Sequence, residues 1–303
     1  MQKTVHIIGA GMAGLLAAQM LRRHYNVKVY ERQKELPNNH SAVLRFRTPE
    51  VGNVLGIEFK KVQMVKTYIP EQSVVGDAIS YSHKCTGRYS TDRSILAGTV
   101  IAERYVAPDN LIERMADGIE IEYGADYEGP DWEGPEATII STIPMPVLMP
   151  LLEYPEFNVK DFNYISGYNV TASIRDCNCY CSILFPGSDV YSRVSITGNQ
   201  LIIEIPDVYK DIDPHAYRLD LLSKKIGIAF SDIRDVQIRQ QQYAKITEIN
   251  EDERKNFIRF ANKFNIYSLG RYATWRPKLL LDDLVHDVRR IQAWIDDERR
   301  YRD

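Results

Sequence analysis

The residues best suited to do chemistry stand near the start of the sequence: Gly9-Ala10-Gly11-Met12-Ala13-Gly14, with Glu31 further along. In a G-x-G-x-x-G pattern each glycine has its own task. Gly9 permits a tight turn, Gly11 lets backbone approach a pyrophosphate, and Gly14 lets a helix pack closely on a sheet. A helix opening at Met12 and Ala13 presents free N–H groups and a partial positive charge to phosphate. Glu31 is placed to accept hydrogen bonds from a ribose diol, with Arg32 beside it. The spacing therefore predicts dinucleotide binding. The alternative is a glycine-rich turn in some other α/β domain.

Other candidates are less specific. Arg45 and Arg47 fall in Val43-Leu44-Arg45-Phe46-Arg47-Thr48, spaced to share one face of a strand. A planar guanidinium pairs with phosphate as a fork, and an ordinary surface salt bridge is the competing reading. Cys177, Cys179 and Cys181 alternate along a strand-like run, which puts three sulfurs on one face. Metal sites usually use cysteines two to four residues apart and joined by a turn, so these read as small buried thiols and no metal is expected. Cys85 has no adjacent base and reads as inert. His83 and Lys84, in Tyr81-Ser82-His83-Lys84, read as part of a strand, either facing a cofactor or at the edge of the core.

These residues need elements to hold them. Val5-His6-Ile7-Ile8 is a buried strand, Leu15–Leu21 continues a helix, and Val27-Lys28-Val29-Tyr30 is a second strand. Asn110–Met115 has helical periodicity and Ile119–Tyr123 alternates like a strand. Val62–Ile69, Val194–Ile196 and Leu201–Ile205 read as strands of a second sheet, with a helix over Ala216–Ile226 beside it. At 303 residues and 44% hydrophobic the chain can bury a full core, and its length suggests about two domains. A net charge of −3 gives no general pull towards nucleic acid or anionic membrane. Apolar runs are short, the first strand starts at once with no signal peptide ahead of it, and four cysteines make no disulfide framework. The expectation is a cytoplasmic, reduced protein.

Towards the other end, Phe264–Leu269 reads as a strand that meets Gly270-Arg271-Tyr272-Ala273-Thr274-Trp275, and Asp282-Asp283-Leu284-Val285 opens a helix. Ala137–Pro144 adds a strand ending in small hydroxyl residues. Together these segments resemble the FAD-binding domain of the flavoprotein superfamily that includes amine oxidases, protoporphyrinogen oxidase and UDP-galactopyranose mutase. The G-R-x-A-T-[YW] segment before an acid-led helix is similar to the mutase-like branch. Tyr191-Ser192-Arg193-Val194-Ser195 looks like the arginine-bearing strand of that branch. Two extra residues separate Trp275 from Asp282 and Asp283, so which aspartate takes the family position stays open.

The resemblance implies an α/β fold: a doubly wound Rossmann-like FAD-binding domain interleaved with a smaller β-rich α+β substrate domain. The first takes residues 1–55, 106–152 and 256–303, the second 56–105 and 153–255. FAD is the implied cofactor, held by Gly9, Gly11, Met12, Ala13, Gly14, Glu31, Arg32, Arg45, Thr142, Gly270, Arg271, Asp283 and Leu284. Arg193, Tyr191 and Trp275 are the implied substrate contacts, with Tyr272 a further wall of the pocket. No residue is assigned as catalytic. The implied activity is that of an FAD-dependent oxidoreductase, an oxidase taking hydride from a C–N or C–C bond. A redox-neutral nucleotide-sugar mutase and a non-catalytic flavin-binding protein are the alternatives. No second G-x-G-x-x-G unit is present for a separate NAD(P)H domain. The short inserts imply a small lid and a bulky nucleotide- or polymer-linked substrate, its phosphate met by a rim of Arg45, Arg47, Arg88 and Arg193. A homo-oligomer partner covering the flavin is the competing arrangement.

Overall fold

The computed structural model describes residues 3–36, 45–91, 98–129, 137–208 and 218–297. Its organising element is a parallel sheet of five strands. These are β1 (Thr4–Ile8), β2 (Asn26–Glu31), β6 (Glu120–Tyr123), β7 (Thr138–Ser141) and β13 (Ile266–Ser268), in the order β13-β7-β1-β2-β6. Central strand β1 pairs Val5 with Val27 on one side and Thr138 on the other, and helices bury both of its faces. Val5 and Ile7 are fully buried. The strand is accordingly apolar from Val5 to Ile8 apart from His6, which is buried and hydrogen-bonds Tyr30 Oη at 2.9 Å.

Helices cover both faces. On one lie α1 (Met12–Leu21), α2 (Glu50–Leu55), α4 (Leu111–Ala116) and α8 (Leu281–Asp296). Helix α1 is built from Ala, Leu, Met and Gln, strong helix formers with small side chains where close packing is needed. Its Leu15, Leu16 and Leu21 are buried to 1% exposure or less, each stabilising by about 1.5–3 kcal/mol. On the other face are α5 (Met145–Leu151) and α7 (Glu251–Asn262), where Met145, Leu148, Phe257 and Ala261 meet Ile139, Ile266 and Trp275. The parallel sheet is therefore doubly wound.

The second sheet has eight strands in the order β12-β8-β11-β10-β9-β4-β5-β3. They are β3 (Arg45–Phe46), β4 (Lys60–Tyr68), β5 (Val100–Val106), β8 (Tyr164–Ile174), β9 (Cys179–Leu184), β10 (Arg193–Gly198), β11 (Gln200–Pro206) and β12 (Ile233–Ile246). Only β4 and β9 run parallel; the other neighbours are antiparallel. One face packs Val170, Val194, Ile196, Leu201, Ile203 and Ile205 against Leu222 of α6 (Leu219–Ile226). Side chains alternate across a strand, so the intervening residues point the other way. Those residues are largely polar.

Part of that polar face is crossed by α3 (Val74–Thr86). Here the reading of His83 and Lys84 as strand residues is corrected. The Ser73 hydroxyl accepts from Gly76 N–H at 3.1 Å and Gly87, at φ +70°, ends the helix. With both caps in place, Asp77, Tyr81, Lys84 and Cys85 fall on one buried helical stripe. Among the described residues no helix is long and apolar enough to cross a membrane.

Candidate functional site

Chain order reverses between β1 and β7: from β1 the sheet first grows to β2 on one side and later to β7 on the other. Open α/β sheets bind ligands at such a switch point, in the crevice beyond the carboxyl ends of the strands. Gly9 follows β1 there and Thr142 follows β7. Gly9 has φ +98°, and its N–H donates to Tyr30 O at 2.7 Å. Thr142 donates from both N–H and Oγ1 to Ile8 O, at 3.0 and 2.7 Å. A Cβ on Gly9 would come 2.1 Å from Thr142 Oγ1, so hydroxyl and turn are fitted to each other.

The remaining glycines divide as their spacing suggests. A Cβ on Gly14 would lie 1.9 Å from Gly9 O, whereas one on Gly11 meets nothing within 4 Å. Gly14 is held by packing and Gly11 by open space. Gly11 caps α1 without a side-chain hydrogen bond, so the N–H groups of Met12 and Ala13 in the first turn face that space uncapped. Glu31, buried at 7% exposure, accepts from Ala10 N–H at 2.8 Å and Gln33 N–H at 3.0 Å. Its carboxylate is thereby fixed at the crevice edge, with lone pairs left over for a diol. Arg32 is exposed beside it. Gly270, at φ +102°, closes the crevice from the far strand; a Cβ there would touch Ala13 Cβ at 3.2 Å. Arg271 follows, its guanidinium 5.8 Å from the Tyr272 ring centre. An open cradle, uncapped N–H groups and an oriented carboxylate fit a dinucleotide.

The polar face of the second sheet is turned towards this crevice, since Gln241 on β12 donates to Tyr272 Oη at 3.1 Å. It is strongly cationic. Strand register sets Lys66 beside Ser182 and Ser182 beside Ser195, two residues along β10 from Arg193. Arg45 donates to Cys181 O at 2.9 Å and to Met64 Sδ at 2.6 Å, both neutral acceptors. Burial, then the nearby Arg193 cation, holds the Arg45 guanidinium down at about 10. Burial also lowers Lys66, and Arg104, Arg45, Arg47 and Arg193 push it further down. Among the described residues no carboxylate pairs with Lys66, Arg45 or Arg47. The acid on this face is Glu204, which accepts from Arg193 Nε at 2.8 Å, from Arg193 Nη2 and from Lys245 Nζ. Burial would raise Glu204, but Arg193 and Lys245 overcome it and set the carboxyl at about 2. Crowded cations short of counter-charge are suited to hold an anion.

Other residues singled out from the sequence lie elsewhere. Trp275 is 1% exposed, packed edge-on against Phe162 and Tyr243, with its indole N–H on Thr247 O at 3.0 Å. Tyr191 is 3% exposed on the apolar side, edge-on to Phe185. Both are core side chains, although Trp275 also borders a pocket with Arg276, Leu279, Asp283 and Asp287. Asp282 and Asp283 separate: Asp282 accepts from Arg47 N–H and Thr48 N–H at 2.9 and 3.0 Å, while Asp283 caps α8 by accepting from Leu280 N–H at 2.9 Å. The Leu284 side chain is buried in the core. Arg88 is exposed just beyond α3. Of the three alternating cysteines, expected to be buried, Cys177 and Cys181 are half-buried and Cys179, at the first position of β9, is exposed. Val43 and Leu44 lie outside the described residues.

Lys66, Arg104, Glu204 and Lys245 were not singled out from sequence. Glu204 did leave a signal, as the single charge inside the apolar run Leu201–Ile205. Lys66 continues the alternation of Val62 and Met64. Lys245 and Arg104 leave none, since only cross-strand register brings them here.

A family model described as an NAD(P)-binding Rossmann-like domain matches residues 7–41. No curated protein matches the chain by sequence. Among solved structures, reduced UDP-galactopyranose mutase superposes with a TM-score of 0.72 at 14% identity, over 98% of this chain and 96% of that one. Glycine oxidase from Geobacillus kaustophilus gives 0.52 at 14% identity, over 94% of each chain. Glycerol-3-phosphate dehydrogenase from Bacillus halodurans, complexed with FAD, gives 0.52 at 10% identity, over 97% of this chain and 65% of that one.

Proposed function

We propose that this chain, whose fold is that of the FAD-dependent oxidoreductase superfamily, binds FAD and acts on a phosphate-bearing, nucleotide-linked substrate. One observation carries the substrate class: Lys66 and Arg45 share a half-buried face with Arg193, with the exposed Arg47 nearby, and Glu204 is already taken by Arg193 and Lys245. Bringing an anion to that face relieves repulsion among the cations. A free amine, protonated at neutral pH, would be repelled by it, which argues against small-amine oxidation.

The first turn of α1 would hold the FAD pyrophosphate, Glu31 the ribose, and Thr142 with Gly270 and Arg271 the flavin end. When bound, FAD accepts or returns electrons at its ring. The protein's share is placement: the cationic face fixes the phosphate, and α3 and the sheet keep water from the reacting group. The superfamily fold is consistent with oxidation by hydride removal from a C–N or C–C bond of the nucleotide-linked group. Redox-neutral mutase chemistry is favoured by a specific observation, the end-to-end likeness to reduced UDP-galactopyranose mutase.

Anaerobic mixing of the FAD-loaded protein with a panel of nucleotide sugars separates these readings. Bleaching of the flavin by one substrate establishes oxidation. An isomerised sugar formed only after chemical reduction of the flavin establishes the mutase. Failure of UDP and of every nucleotide sugar to bind would overturn the substrate class.

A further inference from the structure

Glu204 sits where a binding face for anions is expected to carry no acid. It faces Arg193 directly across the β10–β11 ladder and reaches Lys245 on β12 at the far side of β8. One oxygen, Oε1, receives both Arg193 Nε and Nη2, while Oε2 receives Lys245 Nζ. The acid and the lysine are each only 15% exposed, the arginine 39%. Tyr81 of α3 lies close enough to feel both charges of the Arg193–Glu204 pair. Long cationic side chains lose rotamer freedom when they grip a ligand, and a carboxylate that fixes them beforehand removes that cost.

We propose that Glu204 is a positioning residue, which locks Arg193 and Lys245 into a preformed clamp for a diphosphate on the substrate side of the crevice. The proposal rests on the reading of that face as an anion site. Arg193 has five N–H donors and spends two on Glu204; Lys245 has three and spends one. The remaining donors, three on Arg193 and two on Lys245, are left for a ligand on the face that also carries Ser195 and Lys66. Glu204 thus withdraws one unit of positive charge from the face and returns order.

The two effects oppose each other, which makes the proposal testable. If Glu204 acted only through its charge, Glu204→Gln would tighten anion binding. If it positions the clamp, the same change weakens binding although the face becomes more positive. The probe is inorganic pyrophosphate titrated calorimetrically into FAD-saturated protein, so that the cofactor's own phosphate site is filled. We expect Glu204→Gln to weaken pyrophosphate binding about tenfold, the scale of losing one charge-assisted hydrogen bond. Glu204→Asp, which keeps the charge but shortens its reach, should fall between the two and serves if Glu204→Gln fails to fold. Equal or tighter binding by Glu204→Gln, or wild-type binding by Glu204→Asp where only that variant folds, overturns the proposal. Lys66→Met separates the levels. If it weakens binding while the Glu204 variants do not, the anion face stands and the clamp falls. If wild-type protein binds no pyrophosphate, both fall together.

Discussion

Gly11 and Gly14 offer a test in which one methyl group distinguishes fold from function. A Cβ on Gly14 would stand 1.9 Å from Gly9 O, 3.2 Å from Gly9 C and 3.3 Å from Ile7 Cγ2. Backbone cannot step aside as a flexible side chain does, so α1 must lift from the sheet. The cost of such overpacking is about 1–3 kcal/mol. A Cβ on Gly11 meets nothing within 4 Å, and Gly11 is extended at φ −75° and ψ 178°, open to any residue. Gly11→Ala should cost less than about 1 kcal/mol in the FAD-free protein, the scale of a changed helix cap. With FAD, the methyl occupies the space of the pyrophosphate and removes about two charge-assisted hydrogen bonds, each worth about 1.5–3 kcal/mol. Affinity should then fall by about 100-fold or more. Urea unfolding of the FAD-free proteins gives the first quantity, and quenching of flavin fluorescence on titration gives the second. Gly14→Ala should lose both stability and affinity, Gly11→Ala affinity alone. Gly11→Ala protein that binds FAD within threefold of wild type would refute the placement of the pyrophosphate.

Lys84 is 3% exposed and donates to Phe185 O and Tyr191 O at 2.8 and 3.0 Å, and burial lowers its ammonium from 10.5 to about 8. The folded protein therefore binds fewer protons than the unfolded chain between those values, so stability should rise from pH 8 to 10.5, by at most about 3 kcal/mol. Urea midpoints of wild type and Lys84→Met across that range should diverge in this sense; a constant difference contradicts it. Trp275→Ala should destabilise by about 3–5 kcal/mol, as a buried indole is lost, whereas Trp275→Phe should leave nucleotide affinity unchanged when measured on folded protein. A selective loss of affinity in Trp275→Phe would return the indole to the binding site.

Local signals were readable where the physics is local. The β1–α1–β2 unit follows from a run of apolar residues, three glycines with distinct steric duties and an acid at the strand end. The neighbourhood of Arg193 did not follow in the same way. Its partners come from β11, β12, β4 and β3, and a shift of one residue in any register would turn them to the opposite face. Strand β12 also changes register twice, between Arg234 and Gln237 and between Gln241 and Lys245, which no periodicity reveals. Trp275 and Tyr191 look alike in sequence to pocket aromatics because packing and binding use the same side chains. The helix around Lys84 was legible in principle from Ser73 and Gly87, yet its polar stretch at His83 and Lys84 hid the buried stripe.

Helix α1 rests on α8, and Tyr25 Oη donates to an Asp296 carboxylate across that junction. Strand β13 likewise joins the parallel sheet only beside β7. During synthesis α1 must therefore wait for α8, made more than two hundred residues later, before the side it turns to that helix is covered. Such distant pairings close slowly and leave a sticky intermediate on the ribosome. A sharp loss of yield on deleting α8 is the expected consequence of that topology.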